Sequence, residues 1–134
     1  MKKVNVVGAI LINNNEILCA QRGKGKFEYI SYKYEFPGGK IEIGETAREA
    51  LSRELIEEMQ IEVDSSELEY FDVINHKYKD FEITMELYKC YLNHRNLTLN
   101  EHVDAKWLPL DEISDLDWAE ADIPVVKELM RRGI

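Results

Sequence analysis

The chain has 134 residues, 45% of them hydrophobic, enough apolar side chain for one globular domain with its own core, so residues 1–134 read as a single unit. Its net charge of −9, from 26 acidic against 17 basic side chains, excludes polymeric nucleic acid as a partner, because phosphate backbones bind basic surfaces. A small phosphorylated ligand whose charge is screened by divalent cations stays open.

The opening "MKKVNVVGAILINNN" has the outline of a signal peptide, two lysines followed by an apolar run. That run, 4–12, is interrupted by Asn5, is followed by Asn13, Asn14 and Asn15, and lacks a small-residue cleavage site. It is also too short to span a bilayer. We therefore expect a buried first strand, no membrane, and a cytoplasmic protein. The three asparagines are turn formers, and 16–22 returns as a second strand, completing a hairpin. Cys19 and Cys90 lie far apart in apolar stretches, which suits two buried thiols in a reducing compartment.

The polar, glycine-punctuated stretch 23–33 reads as a surface loop. "YEFPGGKIE" then predicts a short strand, a Pro-Gly-Gly turn and another short strand. A helix starts after Gly44, with Thr46 as N-cap and Glu49 as its capping-box partner. "LEYFDVINHKY" and "FEITMELYKCYL" alternate, are rich in aromatic and β-branched residues, and are joined at Lys79 and Asp80, predicting an antiparallel hairpin. "DAKWLPL" is a further strand broken by Pro109. "ADIPVVKELMRRG" is a closing helix with Val125, Val126, Leu129 and Met130 on one side. The order β-β-β-α-β-β-β-α implies an α/β protein, a mixed sheet flanked by helices.

The first helix carries the chemistry. The stretch 38–61 holds six glutamates, and Glu54, Glu57 and Glu58 stand at i, i+3 and i+4, so three carboxylates converge within one turn. Leu51, Leu55 and Met59 form the adjoining apolar stripe, while Ala47 and Ala50 are expected to leave open space beside the carboxylates. Arg53 is one turn from Glu49 and from Glu57 and can pair with either. Such a cluster is compatible with a solvated face, but like charges at i, i+4 repel, and a structural helix gains nothing from them. A hard divalent cation reverses that cost, because Mg²⁺ takes oxygen ligands and shares them with phosphates and water. Gly38 and Gly39 are expected to turn tightly and to offer a bare carbonyl to the same ion.

Gly39, Glu45 and "RELIEEMQI" (53–61) at their spacing resemble the Nudix box, G-x5-E-x7-R-E-U-x-E-E-x-G-U, with U a bulky aliphatic residue. Every fixed position matches except the second glycine, which is Gln60 here and falls at the helix end. The strand order resembles the Nudix α/β/α sandwich, a mixed β-sheet between helices, and "EFPGGK" resembles its triphosphate-cleaving, MutT-like branch. "EHVDAKWLPLDEI" and "WAEADIPVV" are similar to bacterial pyrophosphohydrolases acting on CTP and modified deoxynucleoside triphosphates.

The resemblance implies Mg²⁺, with Mn²⁺ as substitute, held by Glu54, Glu57, Glu58 and the Gly38 carbonyl, with Glu45 and Arg53 orienting them. Glu101, otherwise a loop glutamate, falls where related enzymes place a further metal-linked carboxylate, and is second to the helix carboxylates for activating water. The implied reaction is attack of water on a triphosphate phosphorus, giving nucleoside monophosphate and pyrophosphate. The implied ligand is a small nucleoside triphosphate, the implied role nucleotide-pool sanitation, and the implied assembly a monomer or homodimer. Arg22 and Lys40 are candidates for gripping phosphates or ordinary surface charges. Phe81 is either a stacking surface for the base or an inward core residue. Asp122 is either the N-cap of the last helix or, by the resemblance, a base reader, accepting from exocyclic amines such as cytosine N4 when ionised. His76, His94 and His102 are scattered and read as surface residues.

Within the family, cleavage of 8-oxo-dGTP, ADP-ribose or dinucleoside polyphosphates is an alternative, and Tyr78 lies roughly where some dinucleoside-polyphosphate enzymes carry a tyrosine. Outside enzymes, the alternative is a non-catalytic nucleotide-sensing Nudix-like domain. Such domains commonly lose the box glutamates, which this chain keeps, and are fused to a DNA-binding segment, for which 134 residues leave no room.

Overall fold

A computed structural model describes residues 1–134. The strands are β1 (Lys2–Asn13), β2 (Glu16–Arg22), β3 (Tyr34–Glu35), β4 (Gly38–Lys40), β5 (Glu69–Lys77), β6 (Phe81–Tyr91) and β7 (His102–Pro109). The helices are α1 (Ala47–Met59) and α2 (Ile123–Arg132). All seven strands join one mixed sheet.

β1 is its axis. One edge pairs parallel with β6 along its length, from Lys2↔Phe81 to Ile12↔Tyr91. On the other edge β2 pairs only at the hairpin end, where Asn14 and Asn15 take φ of 50° and 63°, the two left-handed positions of a tight hairpin turn. Beyond that end β4 takes the edge of β1 at Val6–Gly8 and β3 takes the edge of β2 at Ala20 and Gln21. The segment 34–40 thus fills a notch between the two long strands, and the notch carries the site.

The sheet is buried on both faces, and strand alternation sorts the side chains. Val7, Ala9, Leu11, Leu18, Ala20, Tyr88 and Cys90 pack with Leu51, Leu55 and Met59 of α1. Ile10, Ile12, Ile17, Cys19, Met85 and Leu87 pack with Val125, Val126 and Leu129 of α2. The result is the expected α/β/α sandwich. The cysteines are free and buried on opposite faces. No helix is long and apolar enough to cross a membrane.

Several expectations are corrected. Gly38 and Gly39 are strand residues of β4 rather than a turn, and neither has a positive φ. Glycine is needed at 38 because a Cβ would collide with the Val7 carbonyl of the neighbouring strand. Ala50 is fully buried under α1 and leaves no open space beside the glutamates. Met130 points to solvent at the edge of the α2 stripe, 46% exposed. The 23–33 loop includes one short turn of 3-10 helix, Glu28–Ile30.

The capping box forms as read, with Thr46 accepting from the Glu49 N–H and Glu49 accepting from the Thr46 N–H. At the other end Gln60 adopts the left-handed conformation, φ 56°, in place of the family's glycine. That conformation costs about 1–2 kcal/mol for a residue with a Cβ. It is offset by full satisfaction of the helix-end carbonyls. Gln60 N–H donates to Ile56 O at 2.9 Å and Ile61 N–H to Leu55 O at 3.1 Å. Thr98 N–H donates to Met59 O (2.9 Å) and Asn100 N–H to Glu58 O (3.0 Å), while Asn100 Nδ2 donates to Glu57 O (2.8 Å).

Candidate active site

The notch opens into a cavity of about 800 Å³ between β1, β6, the 23–30 loop and the turn before α2. Glu58, Glu101 and Gly38 stand on its walls together with Asp122, Phe81 and Arg22.

Carboxylate oxygens of Glu54, Glu58 and Glu101 all lie within 4.8 Å of one another. Glu58 is 3% exposed, and its Oε1 accepts from the Gly38 N–H at 2.9 Å. Burial, then the charges of Glu35, Glu54 and Glu101, push its carboxyl up to about 9. Burial also raises Glu54, opposed by Arg53. Room for this convergence comes from Gly39, where a Cβ would run into the Glu54 carboxylate.

Arg53 organises the rim. Its Nε and Nη2 grip Glu45 at 2.6 and 2.9 Å, Nη1 donates to Glu54 (2.9 Å) and Glu57 (3.1 Å), and Nη2 also reaches the Lys40 carbonyl at 3.0 Å. This fork holds Glu45 down to about 2, helped by the Glu42 N–H. Glu49 does not pair with Arg53, because the capping box occupies it. Glu57 is the outer member of the helix trio, 54% exposed at its side chain, and is not among the three converging residues.

The donor set fits a divalent cation. Three carboxylates converge, two of them with carboxyls raised by burial and mutual repulsion, and of the three only Glu54 is paired with an arginine. Oxygen-only donors select hard ions such as Mg²⁺ or Mn²⁺ over softer ones.

Two residues of this site were missed in the sequence. Glu35 ends β3, and His102, read above as a surface residue, is 98% buried at its side chain, its exposure being 2%. His102 Nε2 lies 3.0 Å from Glu35 Oε2 and 3.8 Å from Glu58 Oε2. Glu35 Oε1 in turn faces Arg22 Nη1 at 3.4 Å. The legible signals were adjacency: Glu35 directly precedes "FPGG", and His102 directly follows Glu101.

The other candidates share the cavity. Arg22 and Lys40 line it. Phe81 stacks on Tyr78 (4.8 Å between ring centres) and Phe27 (6.1 Å), presenting an aromatic wall rather than a core plug. Tyr78 is buried in that wall and its hydroxyl accepts from the Ala121 N–H. Asp122 occupies the N-cap position of α2, but its side chain makes no cap hydrogen bond. Its carboxylate lies 5% exposed on the cavity wall, 3.4 Å from the Phe36 N–H. Burial, then the charge of Glu35, pushes its carboxyl well above the usual carboxylate range, which favours the protonated acid relative to the ionised form expected from the sequence.

Such a fold, with clustered acidic side chains on the wall of a cavity of about 800 Å³, defines a class of hydrolase-like α/β/α sandwiches. The chain belongs to the NUDIX domain family, whose model matches residues 2–129. It is 33% identical over 132 residues to an 8-oxo-dGTP diphosphatase of Escherichia coli (strain K12), covering 98% of this chain and 99% of that one. A CTP pyrophosphohydrolase of the same strain is also 33% identical over 132 residues, covering 97% and 93%. Among solved structures, a DNA mismatch repair protein MutT of methicillin-resistant Staphylococcus aureus 252 is 41% identical with a TM-score of 0.70, covering 99% and 100%.

Proposed function

We propose that residues 1–134 act as a single-domain, cytoplasmic nucleoside triphosphate pyrophosphohydrolase, monomeric or homodimeric, that clears unwanted nucleotides from the pool. The observation that carries this reading is the oxygen-only cluster of Glu54, Glu58 and Glu101 at a cavity that Asp122 and Phe81 also line. The similarity to a diphosphatase and a pyrophosphohydrolase over nearly the whole chain supports it.

Glu54, Glu58 and Glu101 hold the ion, with Glu57 and the Gly38 carbonyl as further ligands. A bound Mg²⁺, or Mn²⁺, supplies neutralisation of phosphate charge and a lowered pKa for water. Arg53 and Glu45 fix the helix carboxylates in their rotamers. Arg22 and Lys40 bind the phosphates. Water attacks a phosphorus of the triphosphate, the anhydride bond opposite it breaks, and nucleoside monophosphate and pyrophosphate leave. A helix carboxylate takes the proton of that water, with Glu101, the most exposed of the three, second in line.

Asp122 and the aromatic wall read the base. The ionised carboxyl favours amines such as cytosine N4, whereas a neutral carboxyl donates one hydrogen bond and accepts another, and so pairs with a donor next to an acceptor, as at cytosine N4 and N3 or uracil N3 and O4. The same pairing suits N7–H and O6 of 8-oxoguanine, which makes oxidised dGTP the second reading. A screen of ordinary and damaged nucleoside triphosphates with Mg²⁺, following released pyrophosphate, tests this. Pyrophosphate from cytosine or oxidised-guanine triphosphates is expected. Cleavage of ADP-ribose or dinucleoside polyphosphates alone, or of nothing, overturns it.

A further inference from the structure

We propose that His102 and Asn100 are positioning residues that deliver Glu101 to the carboxylate cluster, a role that rests on the metal-site reading above. Glu101 is exposed and stands at the end of the long connection from β6 to β7. Nothing within that residue holds it beside Glu54 and Glu58, whose charges it repels. Its neighbours do. Asn100 docks twice on the last turn of α1, through its N–H to Glu58 O (3.0 Å) and through Nδ2 to Glu57 O (2.8 Å). Those carbonyls would otherwise be open helix-end acceptors. On the other side His102 is sealed into the protein and bonds Glu35 at 3.0 Å.

The strand pairing shows how His102 reaches inward. In the β2–β7 ladder Gln21 faces Asp104, but Arg22 faces His102, so Val103 is an extra residue at a bulge. The bulge turns Val103 out, 59% exposed, and leaves the imidazole pointing at Glu35 and Glu58. Glu35 is itself fixed in the notch by β3 and faces Arg22. One carboxylate of the cluster is therefore pinned from both flanks, to α1 by Asn100 and to β3 by His102. The Nδ1 of His102 is buried without a partner, so its tie to the protein runs through Nε2 alone. An Nε2–H donor is the tautomer that the Glu35 carboxylate requires.

Mn²⁺ binding to the metal-free full chain, followed by electron paramagnetic resonance of the free ion, tests the proposal without any nucleotide. His102→Ala should weaken Mn²⁺ binding by about tenfold or more, the usual effect of removing a group that orients a metal ligand. His102→Gln, whose amide nitrogen reaches as far as Nε2, should restore most of that loss. Asn100→Ala, at an exposed position whose loss leaves the core intact, should weaken binding as well and carries the test if His102→Ala does not fold. In turnover, half-activation should need more Mg²⁺ while KM for the nucleotide at saturating Mg²⁺ stays put. Wild-type Mn²⁺ affinity in folded His102→Ala or Asn100→Ala, with only the melting temperature lowered, overturns it. A wild-type chain that binds Mn²⁺ yet releases no pyrophosphate from any triphosphate removes the proposed function and leaves this inference standing.

Discussion

Glu58→Gln should abolish turnover and yet make the metal-free protein more stable at neutral pH. The carboxyl is 3% exposed and pushed from 4.5 up to about 9, so on folding near pH 7 it takes up a proton that it lacks in the unfolded chain. Neutral pH lies about 2.5 pH units above the unfolded value, and at about 1.4 kcal/mol per unit that uptake costs about 3 kcal/mol. The sign is opposite to that of a salt-bridged carboxylate. The penalty is absent below 4.5, grows as pH rises, and is complete above about 9. Glutamine keeps the acceptor for the Gly38 N–H and never titrates. Its amide nitrogen loses part of the water it would otherwise bond, at about 1 kcal/mol. The net gain at pH 7 is about 2 kcal/mol, or several degrees in melting temperature for a domain of this size. Urea denaturation with excess chelator at pH 5, 7 and 8 reads the difference, which should widen with pH. Activity should fall by orders of magnitude, as expected for loss of a metal ligand. A variant that is less stable at every pH and fully active would show that α1 carries its glutamates for structure alone.

Turnover should vanish with a chelator and return with Mg²⁺ or Mn²⁺, because the donors of Glu54, Glu58 and Glu101 are all oxygen; full activity in excess chelator refutes the site. Gly39→Ala should leave a folded protein with much weaker Mn²⁺ binding, since its Cβ would displace the Glu54 carboxylate; unchanged binding by calorimetry would show that Glu54 has room elsewhere. Asp122→Asn should remove the pH dependence of base selectivity, since the amide donates and accepts at any pH. In the wild type, rising pH ionises Asp122 and shifts preference toward amine-bearing bases by about 1–3 kcal/mol of discrimination. Parallel pH profiles for cytosine and uracil triphosphates in both proteins would reduce Asp122 to a structural acid.

What the sequence revealed was local. Thr46 and Glu49 cap α1 as their spacing dictates, and the asparagine turn, the β5–β6 hairpin and the stripe of Leu51, Leu55 and Met59 follow from periodicity. What it concealed was relational. Gly38 and Gly39 look like turn residues in isolation. Their need for glycine comes from Val7 and Glu54, which are distant in the chain. Likewise His102 looks like a lone polar residue until a β-bulge turns it toward Glu35. Neither a bulge nor a carboxyl raised by burial has a signature in composition. The upward push on the Asp122 carboxyl is not legible in the sequence for that reason.

The departure from the family pattern at Gln60 follows from the same geometry. A glycine there relieves the left-handed backbone, whereas glutamine retains a strain of about 1–2 kcal/mol. The strain persists because the chain after β6 folds back over the helix end, and Thr98 and Asn100 bond the carbonyls of residues 57, 58 and 59. Those bonds fix the end of α1 without a glycine. Because Asn100 adjoins Glu101, they also tie the position of a carboxylate outside the box to the helix that carries the other two. A change at Gln60 therefore bears on the metal site only through that docked segment. Gln60→Gly should raise stability and leave the cluster in place, while loss of Asn100 should disturb the cluster with α1 intact.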